Sequence, residues 1–178
     1  GGIGYMLRRL VAERARSARE GVELAGALVE RFGYAASGRT YVIADPREAW
    51  LFAAVRGRRW VARRVPDDRV VVLPNVHIIG RIDLADAENF RASPDLIDYA
   101  VCRGWFDPSQ GKPFNFREAY SAVRGGSPDP RRLRGRELVT GRRESASFGR
   151  ELSFGVRPKE KMTVASVAAV LRDTGGPV

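Results

Sequence analysis

The stretch Gly38–Gly80 constrains the fold of this chain more than any other. It reads GRTYVIADPREAWLFAAVRGRRWVARRVPDDRVVVLPNVHIIG, four apolar runs separated by turn signals. The runs are Tyr41–Ala44, Ala49–Val55, Trp60–Val65 and Val70–Leu73. Asp45-Pro46 puts Pro at the second turn position, where its fixed φ suits a type I turn. Arg56-Gly57 supplies a residue tolerant of positive φ for the next hairpin, and Pro66-Asp67-Asp68 makes the third turn. Connections this short join only antiparallel neighbours, so the spacing predicts a four-stranded meander. Trp50–Val55 and Val70–Leu73 are apolar at successive positions, a pattern that needs cover on both faces. The expected class is therefore α+β, a meander sandwiched between other layers.

Helices supply one of those layers. Ile3, Met6, Leu7, Leu10 and Val11 recur at helical spacing. Ser17-Ala18-Arg19-Glu20 fits a capping box, and Val22, Ala25, Leu28, Val29 and Phe32 continue as an apolar stripe that Gly33 can close. Two antiparallel helices, 3–15 and 18–32, are expected against one sheet face. The other face calls for a second sheet, from residues outside this chain or from another copy. Downstream, Ser93-Pro94-Asp95 reads as a helix start, Asn115 as the cap of a helix through Val123, and Gly125-Gly126-Ser127-Pro128 as its break. Asp129-Pro130 opens a helix over 131–139, residues 140–158 read as irregular, and Thr163 caps a last helix with Val164, Val167, Ala168, Val170 and Leu171 inside.

Chemistry is harder to find. One histidine and one cysteine exclude a zinc cluster, and no cofactor or metal is expected. No Gly-rich phosphate loop follows a strand, and no G-x-S-x-G elbow occurs. The formal charge of +10 rests almost wholly on arginine, since lysine occurs only at Lys112, Lys159 and Lys161. These arginines spread from Arg8 to Arg172 rather than forming one block, and a basic solvated surface explains them as well as a nucleic-acid patch would. No apolar run is long enough to span a bilayer and the N-terminus has no signal-peptide layout, so a cytoplasmic location and no membrane partner are expected. Cys102 reads as an inert thiol. His77 could act as an acid or base, against a structural reading. Asn75 could aim its amide at a developing oxyanion, or be a turn asparagine after Pro74.

Several segments resemble the secernin and dipeptidase A family of N-terminal-nucleophile cysteine hydrolases. They are Tyr41–Trp50, Trp60–Asp68, Ala18–Val22, Leu73-Pro74-Asn75, Ser93–Leu96, and Phe154–Pro158 with Val167–Arg172, all in collinear order. The resemblance implies an αββα sandwich in which an N-terminal cysteine attacks the amide of a small peptide and its own α-amine acts as base. It makes Asn75 an oxyanion-side residue and an arginine of 129–135, with Arg132 the choice among three, a binder of the substrate carboxylate. His77 stays a weaker substrate-side candidate. This chain begins with Gly1, so it is expected to be the C-terminal portion of a larger catalytic domain, without its nucleophile and inactive alone. The alternatives are an inactive binding or scaffold relative and an arginine-rich nucleic-acid-binding domain. A missing N-terminal segment, a partner chain or a homo-oligomer would complete the first reading.

Overall fold

The computed structural model describes residues 2–121, 129–145 and 151–175. They gather into two compact units, Gly1–Val65 with Ile79–Ala122, and Pro66–Ile78 with Val123–Val178. The first unit holds helices α1 (Met6–Arg14) and α2 (Ala18–Phe32), then strands β1 (Tyr34–Ala44), β2 (Ala49–Gly57), β3 (Trp60–Arg64) and β4 (Phe90–Ala92). Helices α3 (Leu96–Cys102) and α4 (Phe116–Tyr120) follow. The sheet is antiparallel in the order β1-β2-β3-β4, so the α+β class holds.

Helix α2 starts where its sequence says it should. Ser17 Oγ accepts from the Glu20 N–H at 3.2 Å, and the Glu20 carboxylate accepts from the Arg16 N–H at 2.8 Å. The reciprocal bond thus reaches one residue further back than in a capping box. Gly33, at φ 74°, ends the helix. The two helices lie on one sheet face as expected: Leu7, Val11, Val22 and Val29 pack with Trp50, Phe52 and Trp60 in a single core. Trp60 fixes how closely α2 approaches. Its ring stacks on Phe52 with centroids 5.0 Å apart, and its Nε1 donates to Glu30 at 2.8 Å. A Cβ at Gly26 would sit 2.3 Å from that ring.

Strand alternation turns Leu51, Ala53, Val55 and Val61 to the opposite face, and all four are buried. Arg59, on the same side, places its guanidinium over the Tyr99 ring at 3.8 Å and pairs with Asp95. That brings α3 to this face. The cover does not extend over β1, where Val42 is 62% exposed. Among the described residues there is one sheet.

Three expectations need correction. The fourth strand is Phe90–Ala92 and not Val70–Leu73, which lies half-buried in the second unit. The acidic stretch makes the return possible: Asp86 accepts from the Asn89 N–H and side-chain amide, turning the chain back along β3. Ser93 does not cap α3; its Oγ accepts from the Trp60 N–H, and the serine is buried. Helix α4 is capped by Asn115 as expected but ends at Tyr120, with Val123 and the break 125–128 outside the described residues. The middle of 140–158 lies outside them as well.

Gly26→Ala tests the α2–sheet contact. The methyl would gain about 1 kcal/mol in helix propensity, but forcing Trp60 aside costs about 1–3 kcal/mol. Denaturant unfolding is expected to show a net loss of stability.

Candidate active site

All three candidate residues fall in the second unit. It contains helices α5 (Pro130–Thr140) and α6 (Val164–Arg172). Val70 and Val156 exchange both backbone hydrogen bonds, at 2.8 and 2.9 Å. Asp129 caps α5 by accepting from the Arg131 N–H at 2.9 Å, with Pro130 in the first turn. The buried stripe of α5 is Arg132, Gly135, Arg136 and Val139, helical spacing with guanidinium groups where leucines would be usual. Gly135 lets Val72 in, since a Cβ there would lie 2.8 Å from its methyl.

Buried guanidinium groups need partners. Arg136 donates to Glu144 through Nε and Nη2, at 3.0 and 2.7 Å, and to the Ser153 carbonyl at 2.9 Å. Arg132 donates to the same Ser153 carbonyl at 2.9 Å. Arg132 is only 3% exposed, so its place is inside the unit, holding the 153–154 main chain. Its neighbours are also engaged: Arg131 with Asp129, and Arg134 with Asp173 at 2.9 Å and Glu137 at 3.3 Å. Arg136 escaped the sequence reading. The signal for it was the Arg132–Arg136 spacing across Gly135, which marks one helix face.

Asn75 sits exposed on a bend after Pro74, and no sheet strand precedes it. His77, two residues on, is half-buried, and burial pushes its pKa below the usual imidazole value, so it is neutral at pH 7. Asn75 and His77 therefore share one segment, while Arg132 belongs to the interior of the unit. The apolar side chains of α6 also depart from expectation. Val164 and Leu171 are 89% and 80% exposed. This helix is held by its capping box at Thr163 and Ser166 and by the Arg134–Asp173 pair, not by burial.

In the first unit Asp45 and Glu48 join three chain segments through polar contacts. Asp45 accepts from the N–H groups of Ala18 at 2.8 Å, Arg47 at 2.7 Å and Glu48 at 3.0 Å. These bonds hold its carboxyl below the usual range. Glu48 meets Arg64 at 3.2 Å and Arg19 at 3.4 Å. Burial pushes the Glu48 carboxyl up, but contacts with Arg19, the Trp50 indole and Arg64 outweigh it and leave the pKa lowered. Arg59 and Arg64 are thus paired, and Arg63 lies over the Phe90 ring, so these residues of the basic runs are not a free anion-binding patch. A cavity of about 390 Å³ lies between α1, α2 and β1, with Leu7, Val11 and Ile43 among its walls. Cys102 is a free, exposed thiol at the end of α3. No described helix is long and apolar enough to cross a membrane.

The described helices and the four-stranded antiparallel meander make an α+β fold. The chain belongs to peptidase family C69, whose model matches residues 1–174. It is 36% identical over 129 residues to a dipeptidase of Bifidobacterium longum, covering 68% of this chain and 24% of that protein. It is 36% identical over 107 residues to a probable dipeptidase of Salmonella dublin, 60% of this chain and 24% of the relative. Dipeptidase A of Lactobacillus helveticus is 40% identical over 83 residues, 46% and 17% respectively. The chain therefore spans about a quarter or less of the curated relatives it matches.

Two measurements test these assignments. Arg132→Ala is expected to lower the melting temperature of the chain, because it removes a guanidinium that donates to the 153–154 main chain and leaves a cavity on the buried face of α5. A surface arginine serving a ligand would leave it unchanged. Lowered carboxyl pKa values imply stability that is complete above the unfolded values, 3.8 for Asp45 and 4.5 for Glu48. It is lost as the pH falls below them through the folded values. Asp45→Asn with Glu48→Gln is expected to flatten that acid limb in pH-dependent denaturation.

Proposed function

We propose that this chain is the later part of a dipeptidase-like cysteine hydrolase in which the nucleophile is an N-terminal cysteine outside these 178 residues. The observation that carries the reading is membership of peptidase family C69 over residues 1–174, with relatives named as dipeptidases. The two helices on the antiparallel sheet are consistent with one half of an αββα sandwich, the other half coming from elsewhere in the polypeptide.

The chemistry is acyl transfer. The cysteine thiol adds to the peptide carbonyl and its proton passes to the cysteine's own α-amine, which titrates near pH 8, roughly. The tetrahedral oxyanion then collapses, the C–N bond breaks, and the amine returns the proton to the departing amino acid. Water hydrolyses the thioester by the same route in reverse roles. Asn75 donates its side-chain amide to the oxyanion in this scheme. Its exposure on a bend keeps that amide available to a ligand. His77 lines the substrate side as a neutral hydrogen-bonding group.

Incubating the purified chain with unblocked dipeptides tests the nucleophile assignment. No turnover is expected, and Cys102→Ala is expected to change nothing; turnover that vanishes in that variant would overturn the reading. In an active enzyme carrying these residues, Asn75→Ala is expected to lower kcat about a hundred- to a thousandfold with little change in KM. A turn asparagine would instead lower the melting temperature and leave kcat near normal.

A further inference from the structure

One end of the first unit gathers aromatic rings and arginines from four elements. Ile3 makes two backbone bonds there: its N–H donates to the Gly33 carbonyl at 2.7 Å, and its carbonyl accepts from the Ala35 N–H at 3.0 Å. That pairing brings Tyr5, the N-cap of α1, to the end of α2, where Phe32 stands. Tyr34 opposes Gly57 in the sheet, so the end of β2, with Arg56, reaches the same place. Tyr5 is 71% exposed and Phe32 50%. Two rings this exposed at one end of a unit, rather than scattered singly, mark a contact surface.

Positive charge surrounds both rings. Arg39 of β1 lies over the Tyr5 ring at 5.0 Å, and Arg8 of α1 approaches the same ring at 5.9 Å. Arg31 of α2 lies over Phe32 at 5.0 Å, and Arg56 is exposed. Among the described residues none of these four arginines is paired with a carboxylate, whereas Arg9, Arg19, Arg59 and Arg64 all are. The acids of the adjoining segments are engaged: Glu13 with Arg9, Glu30 with the Trp60 indole and Asp95 with Arg59. Glu20 and Glu23 lie in the first half of α2, about 13 Å or more along its axis from Phe32.

We propose that this end of the first unit binds single-stranded nucleic acid, with phosphates meeting Arg8, Arg31, Arg39 and Arg56 and bases stacking on Tyr5 and Phe32. Single strands are held by a basic surface that follows the backbone and by aromatic rings that accept any base. A guanidinium over a ring adds a flat cation on which a base also stacks. An acidic protein would meet the charge and leave the rings without a matched partner. A bilayer would have to strip each guanidinium from its ring or draw it into hydrocarbon, which is costly. The inference is independent of the hydrolase chemistry, since Asn75 and His77 belong to the other unit.

The probe is a fluorescein-labelled oligothymidylate of about twelve nucleotides, within the span such surfaces cover. It is titrated with the purified chain by anisotropy at a series of salt concentrations. Binding is expected, with a log–log salt slope of about −3 from four phosphate contacts. Tyr5→Leu should weaken it about tenfold, because the bulk stays and the flat face goes, while Tyr5→Trp should keep it. Arg39→Gln with Arg56→Gln should make the slope shallower by about 1.4. Arg142→Gln with Arg143→Gln removes the same charge from exposed positions in the second unit and should leave affinity and slope in place. Unchanged melting temperatures show that each variant is folded. No binding, equal loss in both arginine pairs, or equal competition by poly-glutamate of the same charge would overturn the proposal. Tighter capture by phosphatidylserine vesicles would overturn it too. Protein expressed from the complete reading frame should bind the probe with the same slope; loss there would overturn the proposal by showing the surface covered. Peptide hydrolysis is no part of the readout, so failure of the catalytic reading leaves this one standing.

Discussion

The carboxylate of Asp45 is the interaction on which the first unit depends. One side chain accepts from the first turn of α2 and from two amides of the β1–β2 turn, so it fixes helix and hairpin to each other. Glu48, at the far end of the same turn, adds Arg19 of α2 and Arg64 of β3. Three chain segments thus converge on four residues. An aspartate that caps its own turn is common, but here the second oxygen reaches a helix N-terminus, where a negative charge also meets the favourable end of the helix dipole. The apolar core then needs only to fill the space this frame defines, which Trp60 and Gly26 do between them.

Much of the first unit was legible in the sequence. Turn chemistry at Asp45-Pro46 and Arg56-Gly57, with continuous apolar runs between, identifies β1, β2 and β3 because hairpins are local and their signals lie in a few residues. The fourth strand was not legible. Phe90–Ala92 is short, with arginine at its centre, and it gains strand geometry only from β3 beside it. Val70–Leu73 carries the stronger strand signal and still lies outside the sheet, because propensity does not say which partner a strand finds. Ser93 shows the same limit at one residue: the pattern marks a helix cap, while a long-range bond to Trp60 takes its hydroxyl.

The second unit resisted reading for a different physical reason. Hydrophobic periodicity locates a buried face only where burial is apolar, and α5 buries Arg132 and Arg136. Their partners, Glu144 and the Ser153 main chain, lie well away in sequence. The reverse holds in α6, where an apolar stripe predicts burial that the described residues do not supply. For the candidate site, residue types at Asn75 and His77 were visible but their setting was not: exposure of the first and partial burial of the second follow from the bend after Pro74. The resemblance to a family supplied the functional reading, and membership of peptidase family C69 is what it has in common with the comparisons.

The division of the chain between units has a consequence for synthesis. Residues 66–78 belong to the second unit although the first resumes at Ile79. On the ribosome, where chains emerge at about 5–20 residues per second, α1, α2 and the three-stranded hairpin array can assemble as soon as Val65 is clear. The edge of β3 then waits uncovered until Phe90–Ala92 arrives, and Val70 waits longer still for Val156. A nascent chain of this protein therefore carries an unfinished sheet edge for about 1–5 seconds, the interval in which a neighbouring strand would meet it.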